Sequence, residues 1–359
     1  SIEHIAVEAD NMSDLHPGIL AALQASNLSN LMVPATHGGR FETIDPLAIC
    51  VVREVLMATS SHLDSLFALQ GIGSYAVTVG GTDEQRTEWL PKVAKAEVLP
   101  ALALTEVDAG SDIKRVTTKV TPNDGGLVLN GNKSFISNAG AAAFYVVLAR
   151  DGTLDDDGFS MFLVSADADG VEISPSPELI APHVLGEVDF KNVQLTEKDR
   201  LGMPGKGMDL TLATLSVFRV SVAGAAIGLA QAALEEAVRH TRTRHQFGRP
   251  LARLGPVAAM LADSWTEIEM ARLLAYRAAA MAKDDPGSTL QHSTMAKLAA
   301  SEMASKVVDR SVQCMGRFGL IADSKIERLY RQARPMRIYE GASEVIRLGI
   351  AAELVRIVE

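Results

Sequence analysis

MDLTLATLSVFRVSVAGAAIGLAQAALEEAVRHTRTR, residues 208 to 244, repeats its apolar side chains at three and four without a proline, a pattern that predicts one helix of about ten turns. Two more long helical segments follow, PVAAMLADSWTEIEMARLLAYRAAAMAKDD at 256–285 and STMAKLAASEMASKVVDRSVQCMG at 293–316. Their alanine-rich faces permit close helix contact, so a bundle is expected. Upstream the texture changes. From Leu99 to Leu201 the chain reads as short β-rich runs broken by turn signals: LVLNGNKSFIS with Asn130-Gly131, FYVVLARDG, FSMFLVSADADG and VDFKNVQL. From Ile5 to about Val93 it is helical again, as in PGILAALQASNL and DPLAICVVREVLMATSSHLDSLFALQGIGSYAV. The order predicts an α+β fold: an N-terminal helical domain at 1–98, a middle antiparallel β domain at 99–203, a small sandwich or barrel, and a C-terminal four-helix-bundle-like domain at 204–359.

Composition narrows the function classes. The chain has 359 residues, 47% of them apolar and 22% charged, as expected of a folded globular protein. Lys and Arg number 34 against 44 Asp and Glu, a net charge of −10. That balance disfavours a phosphate backbone as ligand, so no nucleic-acid partner is expected. Cys50 and Cys314 match neither a CxxC nor a zinc spacing, and no metal site is expected; they read as buried small apolar groups in a reducing compartment. SIEHIAVEADNM lacks the pattern of an export signal, and VSVAGAAIGLAQAAL is too short to span a bilayer. A cytoplasmic or organelle-matrix location without a membrane span follows.

GxSxG, HExxH and a dinucleotide-type GxGxxG opening a βαβ unit are absent, and His240 and His245 are five apart, so they do not stack as metal ligands. GMPGKGM at Gly202 lacks the Walker spacing and reads as a hinge loop. Polar clusters stand out at the junctions instead. LTEVDAGSD, 104–112, sets Thr105, Glu106, Ser111 and Asp112 around Gly110 after an apolar strand, where a phosphate or polar heterocycle could be met; a plain turn is the alternative. SFISNAG, 134–140, ends a β run with an aromatic followed by a hydroxyl. RTRHQFGRP, 242–250, closes the long helix with basic side chains that suit either a pyrophosphate or the helix dipole. RIYEGASEVIR, 337–347, sets Glu340 between a tyrosine and a glycine; Arg337, Glu344 and Arg347 would be its partners if the turn were an ordinary exposed one.

LTEVDAGSD, SFISNAG, RTRHQFGRP, VQCMGRFG and IYEGASEVIR, in that order, resemble the acyl-CoA dehydrogenase family from about residue 15 to the carboxy end. The resemblance implies FAD and a homotetramer built as a pair of dimers. It implies that Leu104 and Thr105 contact the flavin ring, that Ser111 lies near the phosphates and the acyl-CoA, and that Phe135 occupies a usual tryptophan position against the flavin. Ser137 takes the place of a threonine whose hydroxyl approaches N5. Arg244, Phe247, Gln313 and Gly316 would bind the FAD of a neighbouring subunit, and Ser343 and Glu344 would close over the dinucleotide. Glu340 matches the catalytic base, Gly341 the small residue beside the thioester and Arg219 the usual arginine on the long helix. The alternative acid position there is Phe218, so no second acid competes. The chain departs from the family pattern at Phe135, Gly255, Met315, Arg317 and Ala342, and it lacks an arginine near His183.

The implied reaction removes an α-proton from an acyl-CoA thioester while the β-hydrogen leaves as hydride to flavin N5, giving a trans-2-enoyl thioester. The enolate needs hydrogen bonds on its carbonyl oxygen, which the resemblance assigns to a ribityl hydroxyl and the N–H of the base residue. A carboxylate in a closed apolar pocket loses solvation and becomes the stronger base. Tyr339 and Gly341 suit such a desolvated surrounding, and Leu66, Phe67 and Phe218 would floor the pocket. An electron-transfer flavoprotein would accept the electrons. Alternatives of the same fold are an enzyme acting on a carrier-protein thioester, a subunit of a mixed tetramer, and a DNA-binding flavoprotein, which the −10 charge disfavours.

Overall fold

The computed structural model describes residues 2–155, 158–284 and 289–358. Helices α1 Glu3–Ala9, α2 Pro17–Ser26, α3 Pro46–Thr59, α4 Ser61–Ile72, α5 Tyr75–Gly80 and α6 Asp83–Ala94 precede the strands. These are β1 Pro100–Ala103, β2 Lys119–Asn123, β3 Gly126–Ser137, β4 Phe144–Asp151, β5 Phe159–Ser165, β6 Val171–Pro175, β7 Leu185–Leu195 and β8 Arg200–Leu201. Helix α7 Gly207–Thr243, the ribbon β9 His245–Gln246 and β10 Arg249–Pro250, and helices α8 Gly255–Asp284, α9 Leu290–Met315, α10 Lys325–Ala333 and α11 Ser343–Val358 complete the chain. The helix, sheet, helix order is the expected one. Local signals set the helix starts: the Asp45 carboxylate accepts from the N–H groups of Leu47 and Ala48 ahead of Pro46, and Thr82 with Gln85 forms a capping box on α6.

By contacts the chain parts into two compact units, Ser1–Asn11 with Asp45–Asp64 and Ser216–Glu359, and Met12–Ile44 with Ser65–Leu215. The second holds the sheet, ordered β6-β7-β3-β2-β4-β5-β8, with β1 beside β4. Most ladders are antiparallel as expected, but β4 pairs with both β1 and β2 in parallel. One sheet layer buries Val120, Leu129, Tyr145, Val147, Phe162, Val188 and Phe190; another cluster sets Phe144, Val146, Leu148 and Met161 against Val77, Leu90 and Val93. Asn130-Gly131 proves not to be a turn. It lies inside β3, where the register with β7 shifts between Leu129 and Gly131; the hairpin turns instead at Asn123–Gly126. Gly131 has φ 151°, and a Cβ there would lie 2.4 Å from the Thr118 hydroxyl, so the glycine serves a bulge and a close approach.

A buried charge ties the loop after β1 to the central strands β2 and β3 of this sheet. Glu106, 7% exposed, accepts from the N–H and Oγ1 of Thr117 at 2.6 and 2.7 Å, the N–H of Thr118 at 2.9 Å and the Lys133 Nζ at 3.0 Å. Burial opposes its charge, but the hydrogen bonds from Thr118 and Thr117 and the Lys133 charge outweigh it and bring the carboxyl down to about 2. In the sequence Glu106 belongs to a cluster that reads either as a ligand-facing junction or as a plain turn; the structure turns its carboxylate inward as an anchor.

In the first unit, α7 is the core. Its most apolar window has a mean hydropathy of 1.7 and is 78% buried inside the protein, so it is a core helix rather than a membrane span. Val220, Ala223, Ala226, Ile227 and Ala230 pack with Ile268, Ala275, Ala279, Ala300, Ala304 and Val308 of α8 and α9, as the alanine-rich bundle reading requires. Gly224 and Gly228 face α3: a Cβ on Gly228 would lie 1.8 Å from the Glu54 carbonyl oxygen, and one on Gly224 2.4 Å from that of Cys50. The Cys50 thiol donates to the Val220 carbonyl at 3.2 Å, and burial pushes its pKa up to about 12. Both cysteines are free and buried, as expected.

Two outcomes follow. Gly228→Ala forces α3 and α7 apart and lowers stability by about 1–3 kcal/mol or more, read as a drop in the urea midpoint, whereas Val238→Ala, on the exposed face of α7, leaves it nearly unchanged. For Glu106, a folded pKa below the ordinary 4.5 means that its stabilisation is complete above about 4.5 and lost as pH falls toward about 2. The shift corresponds to about 3 kcal/mol. Glu106→Gln is therefore destabilised at pH 7, and its gap from the unsubstituted protein narrows by pH 3.

Candidate functional site

RIYEGASEVIR leaves the short turn Pro335–Arg337 and enters α11 at Ser343. Between them Glu340 has φ 56° and Gly341 φ 107°. A Cβ on Gly341 would meet the Ile346 side chain at 3.1 Å, so both backbone angle and space call for glycine there. Two cations hold this turn by its carbonyls. Arg219 on α7 donates from Nε to the Glu340 carbonyl at 2.9 Å and from Nη1 to the Thr294 hydroxyl at 3.0 Å. Lys297 on α9, fully buried, donates from Nζ to the Gly341 carbonyl at 2.7 Å. Burial pulls Lys297 down to about 8 while the Glu340 charge pushes it up; burial also lowers Arg219, again against Glu340.

The Glu340 carboxylate is left for other work. Its Oε2 is buried and has no hydrogen-bond partner among the described residues. Its own N–H likewise donates to no described group. The bland reading, partners on an exposed turn, fails in detail: Arg337 donates to Glu302 at 2.8 Å, and Arg347 lies 3.7 Å from the same carboxylate. Beneath the turn, Arg53 makes a two-pronged pair with Asp64 at 2.9 and 2.6 Å and donates to Ser221 at 2.9 Å. Burial opposes the Arg53 charge, Asp64 more than restores it, and Tyr339 and Glu340 add to the effect. Ser343 is buried and Glu344 exposed at the start of α11. Tyr339 keeps 40% of its surface, but burial pushes its hydroxyl well above the ordinary range, the desolvated surrounding expected of it, while Leu66, Phe67 and Phe218 are buried core side chains.

Elsewhere in this unit Arg244 and Arg317 stand over the Phe318 ring, at 5.7 and 5.1 Å from its centroid, and His240 lies 5.2 Å from it. Phe247 sits at the tip of the β9–β10 ribbon with φ 50° and is 88% exposed. Gln313 is exposed near the end of α9, and Gly316, φ 57°, would leave an added Cβ in open space. Among the described residues no hydrogen bond or ring contact joins this arginine-aromatic group to Glu340.

The sheet unit gathers most of its own expected residues. The Ser134 N–H donates to the Thr105 carbonyl at 2.9 Å, and Lys133 Nζ to the Leu104 carbonyl at 2.8 Å, so the end of β3 and the LTEV segment are tied together. The β3–β7 register shifts again between Lys133 and Ile136, and Phe135 takes φ 56°. Its neighbours Ser134 and Ile136 are buried while Phe135 is 53% exposed. Glu187 braces the bulge, accepting from Ser134 Oγ at 3.0 Å. Ser137 Oγ lies 3.3 Å from His183 Nε2. Ser111 lies exposed in the loop beyond Gly110, where backbone access is open.

Each unit by itself offers features that suit a large anionic cofactor with a flat ring: in the sheet unit, exposed Phe135 on left-handed backbone and clear space at Gly110; in the helical unit, exposed Phe247, clear space at Gly316, and Arg244 and Arg317 at Phe318 without an acidic partner among the described residues. Lys297, Lys133, Glu187 and His183 were not singled out as site residues from sequence. A signal existed for Lys297, a lone cation on the buried stripe of α9 that includes Ser293, Ala296, Ala300 and Ala304.

Family models for the acyl-CoA dehydrogenase N-terminal, middle and C-terminal domains match residues 1–97, 101–193 and 205–355. The chain is 34% identical to 3-(aryl)acrylate reductase of Clostridium sporogenes over 99% of its own length and 94% of the relative's. It is 30% identical to cyclohexane-1-carbonyl-CoA dehydrogenase of Geobacter metallireducens, covering 98% and 92% of the two chains. The solved structure of butyryl-CoA dehydrogenase from Megasphaera elsdenii superposes with a TM-score of 0.92 at 28% identity, covering 99% of this chain and 94% of that one. With the helix, sheet, helix order and the Glu340 turn in place, the chain belongs to the acyl-CoA dehydrogenase family, FAD-dependent oxidoreductases acting on CH–CH bonds.

Proposed function

We propose that the protein dehydrogenates an acyl-CoA thioester to its trans-2-enoyl thioester, with Glu340 as the base that takes the α-proton. The observation that carries this is the buried Oε2 of Glu340, without a partner, on a turn whose carbonyls Arg219 and Lys297 hold. An unpaired buried carboxylate oxygen costs free energy, and such groups persist where chemistry uses them. FAD, when bound, supplies the hydride acceptor at N5.

The chain's own residues do the rest. The N–H of Glu340 is available to the thioester carbonyl oxygen and would stabilise the developing enolate. Gly341 leaves room beside the thioester, and Arg219 fixes the turn and supplies positive charge near it. Leu104, Thr105, Phe135 and Ser137 would meet the flavin ring, Ser111 the phosphates and substrate, and Ser343 and Glu344 the dinucleotide. Arg244, Phe247, Gln313 and Gly316 would hold the FAD of a neighbouring subunit. We take the chain as three functional parts, 1–98, 99–203 and 204–359, working in the cytoplasm with an electron-transfer flavoprotein as acceptor. The similarity to a reductase supports a second reading, the same chemistry run in reverse on a 2-enoyl substrate, with reduced flavin as the two-electron donor; anaerobic mixing of oxidised enzyme with acyl-CoA and of dithionite-reduced enzyme with enoyl-CoA, in separate arms, shows which direction runs faster.

Glu340→Gln keeps FAD and loses at least about a hundredfold in the rate of anaerobic flavin bleaching by acyl-CoA; bleaching at the full rate would rule Glu340 out. A homotetramer is supported by apolar surface left open on α8 and α11: Trp265, Met270, Leu273, Leu348 and Ile357 are each more than 60% exposed. Light scattering on the holoenzyme is expected to give the mass of four chains, and a monomer mass would contradict this.

A further inference from the structure

We propose that His183 is a positioning residue for the Ser137 hydroxyl, deciding which way its O–H points and so how Ser137 meets the flavin edge. The inference rests on the reading of Ser137 given above. Ser137 ends β3, and its Cα is paired with Leu185 of β7. His183 lies two residues before Leu185, with Nε2 3.3 Å from Ser137 Oγ.

The contact is built into the backbone rather than made by two loose side chains. The next residue, Asn138, has φ 65° and donates its N–H to the Val184 carbonyl at 3.0 Å; its side-chain amide donates to the Pro100 carbonyl at 3.0 Å. Asn138 is fully buried, and Ile136 and Val184 are buried on either side. The segments carrying the hydroxyl and the imidazole are thus pinned to each other.

A serine hydroxyl has one proton to donate and rotates to suit its strongest partner. When Nε2 accepts, the Ser137 proton is spent on His183 and only lone pairs face outward. When Nε2 carries hydrogen, it donates to Ser137 Oγ, and the hydroxyl proton is free to point onward. Oxidised flavin offers an acceptor at N5, whereas the reduced form carries hydrogen there. The state of His183 therefore selects which form Ser137 favours, and removing the imidazole releases that choice.

The test uses FAD-loaded enzyme and two readouts besides activity, the flavin midpoint potential and the dissociation constant for sulfite at N5. His183→Leu is expected to change sulfite affinity by about three- to tenfold, the worth of one hydrogen bond, with a matching shift in potential. His183→Gln, which keeps a polar group within reach, restores most of the original value. In a Ser137→Ala background His183→Leu is expected to do nothing further, since the two act as one unit. If His183→Leu loses FAD, His183→Asn, too short to reach Ser137, takes its place. Unchanged potential and sulfite affinity, or an equal change in the Ser137→Ala background, would overturn the inference while leaving the site reading intact. A protein that holds no FAD overturns both.

Discussion

Two cations, Lys297 fully buried and Arg219 half-buried, hold one turn by its backbone, and the candidate site is built on that constraint. The carbonyls of Glu340 and Gly341 receive Arg219 and Lys297, so the side chain between them is not consumed in keeping the turn in place. Burying an ammonium and a guanidinium is costly. The cost is offset by the carbonyls, the Thr294 hydroxyl and the nearby Glu340 charge. Arg219 comes from α7 and Lys297 from α9, so helix packing sets the geometry of the turn. The glycine crossing of α7 with α3 fixes that packing from the other side, together with the Arg53–Asp64 pair under the turn.

The sheet unit solves a similar problem in a similar way. There Lys133, fully buried, reaches both the Leu104 carbonyl and the Glu106 carboxylate, tying an otherwise open loop to a bulged strand. Phe135, Phe247 and Glu340 all hold positive φ without being glycine. Such backbone costs on the order of 1–3 kcal/mol each and persists where surrounding contacts over-determine it. Nearby charges secure the strained backbone around Glu340 and Phe135.

Much of this was legible in the sequence because it follows from periodicity. The long helix at 208–244 and its two successors lie within a residue or a few of α7, α8 and α9, since burial of an apolar stripe imposes a repeat that residues report directly. Family motifs pointed to Glu340, Phe135 and Ser137. What was not legible depends on pairings distant in sequence. Lys297 meets a carbonyl 44 positions away and His183 a hydroxyl 46 positions away; neither leaves a local pattern. Glu106 sits among turn residues that read in sequence as either a ligand junction or a plain turn, and only the Thr117 and Thr118 donors show why it faces inward. Asn130-Gly131 misled because the glycine that permits a hairpin turn also permits a bulge.

The central claim is that Glu340 moves the α-proton. It is tested most directly by NMR of an acyl-CoA thioester in deuterated solvent, in the presence of enzyme but without an electron acceptor, where exchange of the α-hydrogen reports proton abstraction alone. The account predicts that the enzyme exchanges this hydrogen and that Glu340→Gln, still loaded with FAD, does not. Exchange at an undiminished rate in Glu340→Gln would contradict it.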